Sequence, residues 1–163
     1  MKTRIIFALL LLLPGLFVLG NNPQQKLDKA AFYAVMDRGS LEEVNNEIDI
    51  VSASSSPEKE GYTGALLMRK AGLLKLPPQK LKFFKAGRIK FDTALSTDKD
   101  NVEYHFLRFA IQEHAPKIVK YNTDIEADKQ IIIKAYKNLS PVVQHAIMDY
   151  TNKSKVLKAS DLN

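Results

Sequence analysis

Beyond an apolar leader, hydrophobic positions recur at intervals of three and four residues, the period of a helix with one buried face. From Gln25 to Arg38 the stripe is Leu27, Ala30, Ala31, Ala34 and Val35, widened by Phe32, Tyr33 and Met36. Gly39 suits the residue just past a helix. Ser40-Leu41-Glu42-Glu43 has the form of a capping box, Ser40 at the N-cap and Glu43 three residues on. The helix it opens carries Leu41, Val44, Ile48 and Val51. After the polar stretch Ser52–Pro57, a third helix is expected over Glu58–Leu74, with Tyr62, Ala65, Leu66, Met68 and Leu73 on one side. Pro77-Pro78 starts a fourth, to Leu95, whose shared face is Leu81, Phe84, Phe91 and Leu95.

Helix five, Val102–His114, is the most apolar and is expected at the centre of the domain. Pro116 ends it. Thr123-Asp124-Ile125-Glu126 repeats the capping-box pattern and opens helix six, which runs to Asn138 and absorbs Ile131-Ile132-Ile133. Ser140-Pro141 reads as an N-cap followed by Pro at the first helical position. Helix seven then runs to Lys153 and buries Val142, Val143, Ala146, Ile147 and Tyr150. Strand alternation and hairpin turns are missing from the pattern. The chain is expected to be all-α: seven helices packed as antiparallel neighbours in a bundle or helical-repeat arrangement.

Residues 1–20 form a separate unit. Lys2 and Arg4 precede an apolar run from Ile5 to Leu19, interrupted by Pro14-Gly15, and Val18 and Gly20 offer small residues before the polar Asn21-Asn22. This order is that of a secretory signal peptide cleaved after Gly20. The run falls short of the roughly 20 residues of a spanning helix, which favours a leader over a retained anchor. Residues 21–163 are then expected to form a single helical domain, periplasmic or secreted from a bacterial cell. The whole chain has 163 residues, no cysteine and a formal charge of +6. An exported domain without disulfides needs a full-sized core, which this length can supply.

In the middle of the chain, Gly87, Phe91, Ala94 and Leu95 stand at the spacing of a second-helix signature, and Tyr104, Leu107 and Ile111 at that of a following first helix. Over residues 87–111 the chain thus resembles the helical hairpins of the tetratricopeptide repeat. Lys99 stands where that family has its turn proline, and Arg108 where it has a first-helix glycine. The resemblance implies a binding scaffold rather than a catalyst.

Candidate chemistry is sparse. There is no Gly-x-Ser-x-Gly elbow, no phosphate-cradling glycine loop and no His-Glu-x-x-His site. Glu113-His114 lacks a second histidine, and His114 suits a helix C-terminus instead. No metal, cofactor or enzymatic activity is expected. His105, Arg108 and Gln112, at i, i+3 and i+7, form one polar stripe on an otherwise apolar helix. The stripe reads either as a partner-binding line, with Arg108 meeting a carboxylate, or as the water-facing edge of a nearly buried helix. His145, among apolar neighbours, is expected to be partly buried.

Charge is uneven. Residues 61–91 hold eight basic side chains and no acid, whereas Asp37, Glu42, Glu43, Glu47, Asp49, Glu58 and Glu60 precede them. Either the two segments neutralise each other, or Lys80, Lys82, Lys85 and Lys90 form a face for an anionic envelope surface. Nucleic acid is not an expected partner, and membrane contact is expected only through an uncleaved leader or that weak electrostatic face. The leading expectation is a non-enzymatic exported module for a protein or peptide partner. A small-ligand carrier or enzyme built around Arg108, His105 and either Tyr104 or Tyr62 is the remaining alternative.

Overall fold

Local capping chemistry sets most helix starts. In the computed structural model, which describes residues 27–163, Asp28 accepts hydrogen bonds from the amides of Ala30 and Ala31 and opens α1, Lys29–Arg38. The start expected at Gln25 therefore moves inward. The leader, Met1–Gly20, lies outside the described residues. Ser40 and Glu43 form the reciprocal box that opens α2, Leu41–Ala53: the Glu43 amide donates to the Ser40 hydroxyl, and the Ser40 amide to the Glu43 carboxylate. Asn101 caps α5, Val102–His114, through the amides of Glu103 and Tyr104. Proline at the first helical position opens α4, Pro77–Thr97, and α7, Pro141–Thr151. The remaining helices are α3, Lys59–Leu73, and α6, Ile125–Ala135. A short 3-10 turn over Lys117–Val119 ends at Lys120, whose φ of 48° is left-handed.

The structure is all-α, with seven helices and no strand among the described residues. Two expected caps do not form. Thr123 donates to the Asp124 carboxylate rather than closing a box with Glu126, which instead accepts from Gln130. The Ser140 side chain makes no capping bond. Three exposures also differ from expectation. Leu81 is 46% exposed and Val142 39%, although both belong to apolar stripes. The His145 side chain is 79% exposed and pairs with Asp149, one turn on, at 3.3 Å.

The tightest packing joins α3 to α4. They run antiparallel, with Gly64 against Gly87 and Phe91. A methyl group on Gly64 would lie 2.7 Å from the Phe91 amide nitrogen and 2.8 Å from the Gly87 carbonyl oxygen; one on Gly87 would lie 2.6 Å from the Gly64 carbonyl oxygen. Backbone meets backbone here because neither helix has a side chain at the crossing. The Lys90 ammonium and the Glu60 carboxylate close the same interface at 2.5 Å. On its other side α3 meets α5, where Gly61 sits against the Tyr104 ring. Gly61–Leu66 are consecutively buried, so α3 shares the centre of the domain with α5.

Around these two helices the core collects Phe32, Val44, Val51, Tyr62, Phe91, Phe109, Ile132 and Ile147, all fully buried. Burying each such side chain stabilises by roughly 1.5–3 kcal/mol before entropy is counted. One carboxylate ties the first helix in: Glu103 accepts from Lys29 at 2.5 Å, from the Tyr33 hydroxyl at 3.0 Å and from the Tyr62 hydroxyl. Burial first, and then the Glu103 charge, raise the Tyr33 pKa well above its usual value, which keeps its hydroxyl a donor. The C-terminal residues fold back and bury Leu157 and Leu162, held by Glu113 and by the Lys129–Asp161 pair at 3.0 Å.

Candidate functional site

The polar stripe of α5 does not face water. His105 and Gln112 are buried, and the Arg108 side chain retains 18% exposure. All three turn toward α6 and the loop before it. Arg108 grips Asp128 with two bonds of 2.7 Å, Nε to Oδ2 and Nη2 to Oδ1. The two planar groups thus meet as a fork, which fixes geometry as well as charge. His105 Nδ1 lies 2.6 Å from Asp128 Oδ1, and its Nε2 2.8 Å from the Lys99 carbonyl oxygen. That carbonyl can only accept, and Asp128 is already accepting from Arg108. Both ring nitrogens therefore donate, and His105 is an imidazolium. Its pKa is raised, chiefly by the hydrogen bond to Asp128 and against the opposing effect of burial. Gln112 completes the seam, donating to the Asp124 carboxylate and accepting from the Asp124 amide, both at 3.0 Å. Burial works to raise the Asp124 pKa, but the bonds from Gln112 and Thr123 and the charge of Arg108 outweigh it, and the net shift is downward.

This arrangement clasps α5 to α6. Beside it lies a polar cleft of about 420 Å³, lined by Arg88, Asp92, Lys99, Arg108, Tyr121 and Asp124, among others. Its charged groups mostly satisfy one another: Arg88 bonds Asp92 at 3.2 Å and stacks on Tyr121, whose hydroxyl donates to Asp92 at 2.8 Å. Tyr104 and Tyr62, grouped with His105 and Arg108 in the small-ligand alternative, lie elsewhere. The Tyr104 ring packs on Phe91 and Tyr62, and its hydroxyl donates to the Glu58 carbonyl. Burial and nearby carboxylates push its pKa up to about 12.

A second, larger depression is apolar. A groove of about 1010 Å³ is lined by residues of α1, α3, α4, α5 and α7 and of the segment after α5. Its floor includes Tyr33, Met68, Ala71, Leu107 and Ala110. Its banks carry apolar side chains that remain in water: Leu81 on α4, Val142 on α7, and Ile118, 89% exposed, on the 3-10 turn. Exposed apolar surface gathered around a concave apolar patch is characteristic of an interaction site. None of these residues was singled out as a site from the sequence. Leu81 and Val142 complete apolar stripes in the sequence, and only the fold shows that they stay uncovered.

Of the basic candidates, Lys80, Lys82 and Lys85 are exposed and form no ion pair among the described residues, whereas Lys90 is paired with Glu60. Lys80 and Lys85 line the groove. The acidic and basic segments are joined by only that one ion pair. His114 sits at the end of α5, its Nδ1 3.0 Å from the Ala110 carbonyl oxygen. No group of His, Asp and Glu side chains among the described residues has the arrangement of a metal site. No helix among them is long and apolar enough to cross a membrane. No family model, curated protein or solved structure matches the chain.

Proposed function

We propose that this chain is an exported, non-enzymatic helical module that binds a protein or peptide partner, and that the apolar groove is its binding site. The observation that carries the proposal is the groove itself, with Leu81, Ile118 and Val142 standing uncovered on its banks. An apolar segment laid in it would remove those side chains from water, at roughly 25 cal/mol per Å² of apolar surface buried. The α3–α4 hairpin, locked at Gly64 and Gly87 with Phe91 and Leu95 inside, supports a scaffold of the helical-repeat kind. The polar clasp supports the same reading, because His105 and Arg108 bond to Asp128 of α6, Gln112 bonds to Asp124 just before it, and together they hold the scaffold.

The test is capture from an envelope extract by the immobilised protein, run beside a variant carrying Leu81→Glu and Val142→Glu. Both positions are exposed, so the variant keeps its fold, which circular dichroism checks. A discrete partner retained by the wild type at low and at high salt, and lost by the variant, is the expected result. Equal capture by both proteins would remove the groove from the account.

A further inference from the structure

We infer, resting on that reading of the groove, that its partner is an acidic amphipathic helix, with carboxylates set against Arg69 and the lysines of α4. Arg69 lines the groove, and its Nε is buried with no acceptor among the described residues. The rest of its guanidinium is poorly held: Nη2 reaches only the Asp37 carbonyl oxygen, at 3.5 Å. A buried guanidinium nitrogen without an acceptor is costly to keep. The Nε itself is sealed from an incoming group, but the Nη end, held only by that 3.5 Å bond, is where a carboxylate would satisfy the guanidinium best.

The surrounding charge agrees. The groove is lined by the cations Arg38, Arg69, Lys80, Lys85 and Lys153 and by the acids Asp37 and Asp149. Asp37 is engaged by Lys153, which leaves Arg38, Arg69, Lys80 and Lys85 as four cations against the one acid Asp149. Residues 1–26 contain no Asp or Glu, so that segment offers no side-chain carboxylate to the remaining cations.

Two observations favour a polypeptide over an acyl chain. The exposed apolar side chains stand on separate elements, Leu81 on α4, Ile118 on the 3-10 turn and Val142 on α7, so an occupant that covers them is broad, as a helix about 10–12 Å across is and a single acyl chain is not. The unpaired cations are also spread over α1, α3 and α4, which matches several carboxylates better than one head group. Two copies meeting groove to groove would bring like charges together.

The chain has no tryptophan, so a single Trp in a peptide reports binding without background. The probes are a helical peptide with Leu, Ala and one Trp on one face and Glu on the other, its twin with every Glu replaced by Lys, and a medium-chain fatty acid as competitor. The protein is expressed with its own leader and titrated with each probe at about 0.15 M salt. The acidic peptide is expected to bind at least about tenfold more tightly than its twin. Arg69→Met should weaken the acidic peptide by about tenfold, the scale of one charged hydrogen bond, and should not weaken the twin. The exposed pair Lys80→Ala and Lys85→Ala should shift the ratio in the same direction, and it serves if Arg69→Met fails to fold. Equal binding of the two peptides in the groove overturns the inference and leaves the groove proposal standing. Binding of neither peptide overturns the inference, and the groove proposal is then decided by the capture experiment with the Leu81→Glu and Val142→Glu variant. Saturable fatty-acid binding that excludes the acidic peptide, or that it cannot displace, overturns the inference in favour of a lipid.

Discussion

Gly64→Ala puts a methyl group where α3 and α4 leave no room for one. The new carbon falls 2.7 Å from the Phe91 amide nitrogen and 2.8 Å from the Gly87 carbonyl oxygen, against ordinary contact from 3.4 Å, so the helices must part by about 0.7 Å. Both obstacles are backbone atoms and cannot rotate away. Overpacking of this kind costs about 1–3 kcal/mol. Alanine also returns up to about 1 kcal/mol of helix propensity. The expected net loss is about 0–2 kcal/mol, with a fall in Tm of roughly 2–4 °C for each kcal/mol in a chain of this size. Gly72→Ala is the control. It lies in the same helix, and nothing stands within 4 Å of its added carbon, so it should stabilise by about 0.5–1 kcal/mol. Gly64→Ala and Gly87→Ala together should cost less than the sum of the two, because one parting of the helices accommodates both methyls. Urea unfolding followed by far-ultraviolet circular dichroism measures the wild type and the four variants, Gly87→Ala alone included. If Gly64→Ala proves as stable as Gly72→Ala, the close crossing is wrong.

The polar clasp and the Glu103 junction give three further expectations. Asp128→Asn leaves the charges of Arg108 and His105 facing a neutral amide and should cost about 3–5 kcal/mol in urea unfolding. His105 contributes stability in the opposite pH sense from a carboxylate: its folded pKa is raised, so the contribution is full below the unfolded value near 6.5 and is lost as pH rises through the folded value. The wild type should therefore lose stability on that rise relative to His105→Gln, measured by unfolding at a series of pH values; identical pH profiles would refute the imidazolium assignment. Glu103→Gln strips the charge that holds Lys29, Tyr33 and Tyr62 and should cost about 1–3 kcal/mol, with faster amide hydrogen exchange in α1 before the rest of the domain.

What the sequence revealed depended on how local the determining contacts are. The Ser40–Glu43 box was visible because both partners lie within one turn. The same pattern at Thr123–Glu126 does not close, because Asp124 between them is claimed by Gln112 and Arg108 from another helix. The burial of α3 was understated by hydropathy, since Gly61, Thr63, Gly64 and Ala65 reach the centre by being small rather than apolar. The His105–Arg108–Gln112 stripe could be drawn on α5, but its destination could not, because its carboxylates come from the following helix and its leading loop. One signal for it was available: Asp128 stands one turn before the buried Ile132, an acid at a core position that needs cationic partners. The groove arises from tertiary packing, and no stretch of sequence encodes it.

The most direct test of the central claim is where a partner segment touches the protein. Alanine methyl groups labelled with ¹³C mark both sides of the molecule: Ala34, Ala71, Ala110 and Ala146 line the groove, while Ala94 and Ala127 lie away from it. On titration with the acidic amphipathic peptide, the account expects the first set of methyl resonances to shift saturably and the second to stay still. Shifts confined to the region of Ala94 and Ala127, with the groove methyls unmoved, would contradict it.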